Sequence, residues 1–195
     1  MKSKLIDSKT FERADYTSEP LEKGDYESCI FINCDFSGSN LTDIRFLECK
    51  FANCNFSMAN LNNAVLREVR FMNCKLLGVH FKDCSYMMMA MEFDGCTLDL
   101  ASFYKLKLKN TRFRDTKCSE TDFSEADLTG SVFDNCDLDR ASFSGTLLEQ
   151  ADLRTSFNFN IDPDYTRIRG ARFSLAGLPG LLRKYELQIE KYGYE

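Results

Sequence analysis

Residues 29–56 read CIFINCDFSGSNLTDIRFLECKFANCNF, and in this stretch Phe or Leu returns at every fifth position. A small residue, most often Cys, usually stands two positions before each of these central residues. The same unit recurs later in the chain, as in Ala126-Asp127-Leu128 and Ala151-Asp152-Leu153. A period of five fits neither the period of a helix, about 3.6 residues, nor that of a strand, about two. It indicates a repeat solenoid, in which every repeat packs against its neighbours.

The repeat extends over most of the chain, with one change of frame. Central residues run from Phe31 to Tyr86 and, displaced by two residues, from Phe93 to Leu153. We interpret the displacement across 87–90 as a bulge or corner kink; the other interpretation is an exposed methionine patch that binds a partner. We predict one solenoid domain over 1–195. Its parts are an N-terminal cap (1–10), a first repeat block (11–86), a register break (87–92), a second repeat block (93–155), and an irregular last coil with a C-terminal cap and dimerisation segment (156–195).

Composition limits the classes of protein that this chain can represent. The sequence has 195 residues, a net charge of -5, one His and no Trp. It starts without an apolar leader, and no apolar run approaches the roughly 20 residues that span a bilayer. We therefore expect a cytoplasmic protein. The negative net charge argues against direct binding of nucleic acid.

The nine cysteines follow the repeat rather than a disulfide or metal-binding pattern. Eight of them lie two residues before a central residue, where other repeats have Ala, Ser or Thr, and Cys118 is itself central. Free Cys behaves as a small apolar side chain, so the pattern indicates packing. Zinc-type CxxC spacing is absent. We expect no metal and no cofactor.

These features together resemble the pentapeptide-repeat family, and most of all its quinolone-resistance (Qnr) and microcin-immunity proteins. The resemblance rests on the Cys/Ala-Asp/Asn-Phe/Leu units, the mid-chain break and a Leu-rich C-terminal segment. It implies an all-β fold, a right-handed quadrilateral β-helix in which four units form one coil of twenty residues. Residues twenty apart should then stack at about 4.8 Å, and roughly seven coils would form a rod of about 35 Å. Phe31, Phe51 and Phe71 would form one column, and Asn33, Asn53 and Asn73 an amide ladder.

The C-terminal segment is predicted to close the solenoid. Residues 175–185 are typical of a short helix, and residues 187–190 of a short strand. A solenoid needs such a cap because an open coil edge invites pairing with other chains. The segment has more apolar side chains than a cap requires, and the resembling proteins are dimers. We therefore predict a two-fold dimer contact, formed by Leu178, Leu181, Leu182 and Tyr185.

Charge alternates along the repeat. Residues 121–155 carry eight acidic side chains against Arg140 and Arg154, whereas residues 101–117 carry six basic side chains against Asp115. A shift of twenty residues predicts salt bridges between coils, each worth about 0–1 kcal/mol at an exposed site. The predicted pairs are Lys107–Asp127, Arg114–Asp134, Lys117–Asp137, Asp152–Arg172 and Glu149–Arg169. Asp122, Glu125 and Asp139 would remain unpaired. The predicted partner-binding acidic surface comprises Asp122, Glu125, Asp127, Asp134, Asp137 and Asp139.

The sequence has no recognisable catalytic motif. It contains no Gly-rich phosphate loop, nucleophile elbow or metal cluster, and His80 stands at an outward position. We predict that the protein is not an enzyme. The resemblance implies a dimeric rod that imitates the shape and charge of duplex DNA, binds DNA gyrase or topoisomerase IV, and protects it from a quinolone or peptide toxin. The alternative is a generic protein-interaction scaffold with an unknown partner.

Overall fold

The computed structural model describes residues 4–86 and 89–190, which form a parallel β-solenoid. Successive coils lie side by side, so that Phe31 pairs with Phe51 and Phe51 with Phe71. Each pair is twenty residues apart, which confirms the predicted coil length. The stacking is possible because the chain turns after every five residues and returns to the same face after four units.

Two faces of the solenoid carry regular parallel strands. Face 1 is a four-stranded sheet, comprising β1 (Leu5–Asp7), β3 (Asp25–Glu27), β5 (Arg45–Leu47) and β7 (Val65–Arg67). Face 2 is a seven-stranded sheet, comprising β2 (Thr10–Glu12), β4 (Ile30–Ile32), β6 (Lys50–Ala52), β8 (Val69–Met72), β9 (Met91–Asp94), β10 (Arg112–Arg114) and β11 (Val132–Asp134).

The other two faces are columns of single parallel bridges. Face 3 includes Asp35↔Asn55, and face 4 includes Ser102↔Asp122. On these faces a tight turn follows each central residue, as where the Ser39 amide donates to the Phe36 carbonyl at 3.0 Å. The shorter straight segments leave room for one bridge per coil instead of a three-residue strand.

The corner residue, two positions after the central residue, usually has a positive φ. Asn33, Asn53 and Asn73 have φ values of 55°, 54° and 52°. Asn tolerates this left-handed conformation better than most residues because its short side chain hydrogen-bonds locally. The sequence analysis interpreted this Asn column as an amide ladder. The left-handed backbone at each of these corners explains why Asn recurs there.

The small-residue position, two before the central residue, is a hydrogen-bond donor as well as a space-saving position. The Cys49 thiol donates to the Tyr26 carbonyl at 3.3 Å, and Cys136 to that of Phe113 at 3.5 Å. Thr146 donates in the same way to Phe123 at 2.8 Å. All nine cysteines are buried and free. Interchange of Cys, Ser and Thr at this position thus reflects a shared donor, which the sequence analysis missed.

The core consists of aromatic columns along the rod axis. On face 2, Phe113 stacks between Phe93 at 5.3 Å and Phe133 at 4.7 Å, measured between ring centroids. Its edges meet the face 4 rings of Phe103 and Phe123. Offset stacks along each column and edge-to-face contacts between columns are the two favoured arrangements of aromatic pairs.

The register break inserts two residues between neighbouring coils. Val65 pairs with Ser85, twenty positions on, whereas Phe71 pairs with Phe93, twenty-two positions on. Tyr86 was expected to be a central residue, but it is 80% exposed because the chain leaves face 1 after Ser85. The predicted methionine patch lies partly outside the described residues, at 87–88.

Both ends of the chain differ in part from the sequence-based prediction. β1 pairs with β3 in register, so the described residues of the predicted cap at 1–10 belong to the first coil. At the other end, a 3-10 turn (Leu175–Gly177), α1 (Pro179–Leu182) and a second 3-10 turn (Arg183–Tyr185) form the expected helical segment. Residues 187–190, which were predicted to form a strand, have no regular secondary structure.

Candidate functional site: an acidic coil

Two adjacent coils carry most of the unbalanced charge. Residues 120–139, here called the acidic coil, contain seven Asp or Glu residues and no Lys or Arg. Residues 100–119, the basic coil, contain six Lys or Arg residues and one Asp. Because each coil circles the rod once, these charges form two stacked rings of opposite sign.

The six predicted site residues do not share one surface. Asp122 lies on face 4, and Asp127 lies on face 1 in register with Lys107. Asp134 ends β11 on face 2, and Asp137 bridges Lys117 on face 3. Asp139 follows Asp137 on that face, and Glu125 occupies the corner between faces 4 and 1. A run of acidic residues in this fold is therefore spread around the rod by the turn after every fifth residue.

Lysines of the basic coil neutralise one side of the acidic ring. Asp127 pairs with Lys109 at 3.3 Å rather than with the predicted Lys107. Glu125, expected to be unpaired, contacts Lys105 at 3.4 Å and accepts a hydrogen bond from the Tyr104 hydroxyl at 2.9 Å. Lys105 and Glu125 are twenty residues apart and pair along the register, whereas Lys109 reaches diagonally to Asp127. Backbone register therefore determines some of these partners but not all of them.

Arg140 neutralises the other side of the ring. Its guanidinium lies 3.1 Å from Asp139, also expected to be unpaired, and 3.0 Å from Glu120. Arg114, the predicted partner of Asp134, instead pairs with Asp94 in the preceding coil. The predicted Asp152–Arg172 pair is present, at 3.9 Å. These contacts are exposed, so each contributes at most about 1 kcal/mol.

Three of the six predicted acids have no cation within 4 Å among the described residues: Asp122, Asp134 and Asp137. Each accepts a neutral hydrogen bond instead. Asp122 accepts from the Ser124 amide at 3.0 Å, Asp134 from the Thr155 hydroxyl at 2.9 Å, and Asp137 from the Asn158 amide group at 2.8 Å. These carboxylates keep a full negative charge available to a partner.

Hydrogen bonds favour the ionised form of the Asp127 carboxyl in the acidic coil. Burial raises the pKa of this carboxyl, but hydrogen bonds from Thr129 and Lys109 outweigh that effect, and the pKa lies below its ordinary value of 3.8. The Thr129 hydroxyl donates to Asp127 at 2.6 Å. The arrangement stabilises the charged form rather than the mixed protonation states that acid–base catalysis uses.

The predicted dimer residues lie together in the C-terminal segment. Leu178 and Tyr185 are exposed, whereas Leu181 is half-buried against the solenoid core and Leu182 is half-buried. Lys184 anchors the segment by pairing with Asp162 at 2.6 Å and with Asp164. These ion pairs fix the position of the segment that carries the exposed side chains of Leu178 and Tyr185.

Concave sites offer little catalytic chemistry. A groove of 590 Å³ lies beside the register break, lined by apolar residues such as Val69, Met91 and Leu108 and by charged residues such as Glu68 and Arg70. Its described lining contains no His or Cys. His80 is exposed and lies 3.7 Å from Asp83. Within residues 4–86 and 89–190, no group of three His, Cys, Asp or Glu side chains is arranged to hold a metal ion. None of the helices in these ranges has the length and apolar character needed to cross a bilayer.

Comparisons with known proteins agree with this architecture. A family model described as a pentapeptide repeat region matches residues 25–87 and 86–158, more than half of the chain. Solved structures of two trypsin-treated variants of QnrB1, described as a plasmid-mediated fluoroquinolone resistance protein, superpose with TM-scores of 0.64 and 0.54. Their sequence identities are 17% and 18%, covering 97% and 98% of this chain and 99% and 100% of theirs. No curated protein sequence matches. At these identities the likeness shows the fold alone.

Proposed function

Because the chain belongs to the pentapeptide-repeat family, we propose that it is a non-enzymatic binding protein that imitates duplex DNA. Its proposed partner is DNA gyrase or topoisomerase IV, which it would protect from a quinolone or a peptide toxin. The proposal takes its direction from QnrB1, the fluoroquinolone resistance protein whose fold this chain shares. Since the partner acts on the chromosome, the proposed location is the cytoplasm.

The rod has dimensions that suit a DNA-binding surface. Face 2 contains nine rungs from Thr10 to Arg172. Eight steps of about 4.8 Å give a length of about 38 Å. Duplex DNA carries one negative charge per about 1.7 Å, and the seven acids of the acidic coil exceed that density over one coil. The acidic coil is the observation that supports mimicry.

The basic coil favours a second candidate function. Ion pairs with Lys105, Lys109 and Arg140 neutralise part of the acidic ring, and the whole chain has a net charge of only -5. A rod with stacked rings of opposite sign also suits a protein-interaction scaffold whose partner is not a DNA-binding enzyme. The two functions differ in the partner that they require.

A supercoiling assay distinguishes these functions. Purified gyrase would be incubated with relaxed plasmid, ATP and increasing amounts of the protein, with and without a quinolone. DNA mimicry predicts inhibition of supercoiling at high protein concentration, or relief of inhibition by the drug. A well-folded protein that changes neither would leave the scaffold function as the better account.

A pair of neutralising variants tests the role of the acidic coil. Asp122→Asn and Asp137→Asn remove two charges and keep the side-chain oxygen that accepts the local amide hydrogen bond. We expect weaker topoisomerase binding and a smaller salt dependence, because electrostatic steering is reduced. Asp15→Asn and Asp35→Asn are matched controls, since they make the same change at the same position of the repeat near the N-terminus. Equal loss in both pairs would exclude a specific role for the acidic coil.

The proposed assembly is a two-fold dimer through Leu178, Leu181, Leu182 and Tyr185. Burial of the exposed apolar groups in this segment against a second copy would remove them from water, the main favourable term in association. Sedimentation equilibrium measures the mass directly. A monomer at micromolar concentration would exclude this dimer.

A further inference from the structure

One corner of the rod departs from the pattern of the others. Among the described residues with a positive φ, all are Gly or polar except Met58 and Leu100, with φ values of 59° and 60°. A left-handed conformation costs a residue with a Cβ roughly 1–2 kcal/mol. Asn reduces this cost through local hydrogen bonds, but Met and Leu do not.

The two exceptions occur in the same column, on the edge between faces 3 and 4. The Met58 amide donates to the Leu77 carbonyl, and the Gly78 amide donates to that of Asp99, so Gly78 stands between Met58 and Leu100. A Cβ at Gly78 would lie 2.5 Å from the Met58 sulfur, which shows that the methionine side chain extends over the glycine. Glycine therefore makes room for Met58 along this edge.

These side chains contribute little to the core. Met58 is 65% exposed, Leu100 54% and the adjacent Leu77 39%. We call these three residues the apolar ridge. Met and Leu at positions where Asn or Gly would suit the backbone bury only part of their side chains here, which offsets little of their conformational cost. Neighbouring exposed apolar side chains are a surface feature that protein-binding sites share.

The charges beside the ridge indicate the chemistry of its partner. Asp99 precedes Leu100 on face 3, and Asp122 lies on face 4 in register with Ser102. Neither carboxylate has a cation within 4 Å among the described residues; Asp99 accepts the Ser119 amide at 3.0 Å. The next corner in the same column is Glu120 of the acidic coil. Lys75 and Lys117 also lie on face 3, in register with Thr97. The ridge is thus an apolar projection that has the carboxylates of Asp99 and Asp122 beside it and the acidic coil at its end.

We propose that the apolar ridge anchors the rod in an apolar cleft with a basic rim on its protein partner. This inference rests on the proposed function, because it assigns the cleft to the topoisomerase. An apolar centre with a charged rim is the usual anatomy of a protein interface. The acidic coil accelerates association, whereas the ridge slows dissociation, since rim charges act mainly on the association rate.

The double variant Met58→Asn, Leu100→Asn tests the ridge. Asn suits the left-handed backbone, so the thermal midpoint should stay the same or rise. Binding to immobilised gyrase holoenzyme, measured by surface plasmon resonance at low and high salt, should show a dissociation rate raised roughly tenfold at both, equivalent to about 1.4 kcal/mol. The association rate should be unchanged.

The control is Glu48→Asn, Glu68→Asn, which also places Asn at left-handed corners but on another edge of the rod. Because this control removes two negative charges as well, only its dissociation rate is compared. It should dissociate like the wild type. If the wild type binds gyrase and the ridge variant dissociates at the same rate, the apolar ridge is not an anchor. That result would leave the proposed function intact. A wild-type protein that does not bind gyrase would overturn the proposed function and this assignment with it.

Discussion

Removal of one ring from the aromatic column tests how the rod is held together. Phe113 is fully buried and lies in the middle of the face 2 stack. It stacks on Phe93 and Phe133 and meets Phe103 and Phe123 edge-on, with ring centroids 6.1 Å and 5.8 Å away. The substitution Phe113→Ala removes these four ring contacts at once.

The expected cost follows from burial and from the ring contacts. Phe→Ala in a close-packed core costs about 3–5 kcal/mol because the site collapses only partly. Aromatic pairs contribute about 0.5–1.5 kcal/mol each beyond area burial. The rings above and below Phe113 are held by their own backbone rungs and cannot close the gap. We therefore expect a loss of about 4–5 kcal/mol, at the upper end of the range for such substitutions.

Urea denaturation followed by circular dichroism measures this loss as a change in the free energy of unfolding. Phe157→Ala is the control, since Phe157 is 45% exposed and forms no ring pair among the described residues, and it should cost less than about 1 kcal/mol. A loss below about 2 kcal/mol for Phe113→Ala, or equal losses for the two variants, would refute the assignment of stability to the stacked column.

Two further predictions concern the buried thiols. Cys136→Ser should change the free energy of unfolding by less than about 1 kcal/mol, because the serine hydroxyl can donate to the Phe113 carbonyl as Thr146 does to Phe123. Urea denaturation measures this change. A cost of about 3 kcal/mol, as for an unpaired buried hydroxyl, would contradict the donor role. Burial raises the pKa of Cys49, Cys84 and Cys136 from 9.0 to about 12, so the thiol-specific reagent DTNB at pH 8 should react with them only after unfolding. Since the folded pKa is the higher one, the stability from these protonated thiols is present below about pH 9 and is lost as the pH rises towards 12; a native protein that reacts rapidly at pH 8 would contradict this burial.

The repeat let the sequence predict much of the fold before any coordinates. The central residues and the two-residue change of frame follow from spacing, whereas the twenty-residue coil was implied by the resemblance to the pentapeptide-repeat family. The small-residue position was only partly understood. Its occupancy by Cys136 and Thr146 suggested small size, but the shared hydrogen bond to a carbonyl in the preceding coil required the structure.

The candidate site was less predictable than the fold. The sequence identified the acidic run, yet it treated as one surface residues that the structure places on different faces, such as Asp122 and Asp134. It also assigned Asp127 to Lys107 instead of Lys109, and left Glu125 unpaired. Lys109 reaches Asp127 over eighteen positions because a long side chain can cross between rungs, and a shift of twenty does not represent that freedom. The Lys105–Glu125 pair does follow the shift of twenty, and the sequence analysis overlooked it.

The five-residue spacing by itself determined that this protein is a repeat solenoid, because each repeat can bury its central side chain only against neighbouring repeats. Only the tertiary structure decided what faces outward: that Tyr86 leaves the core, that 187–190 form no strand, and that Met58 extends over Gly78 on an exposed edge. Those outcomes depend on contacts between residues distant in sequence, and a local period carries no information about such contacts.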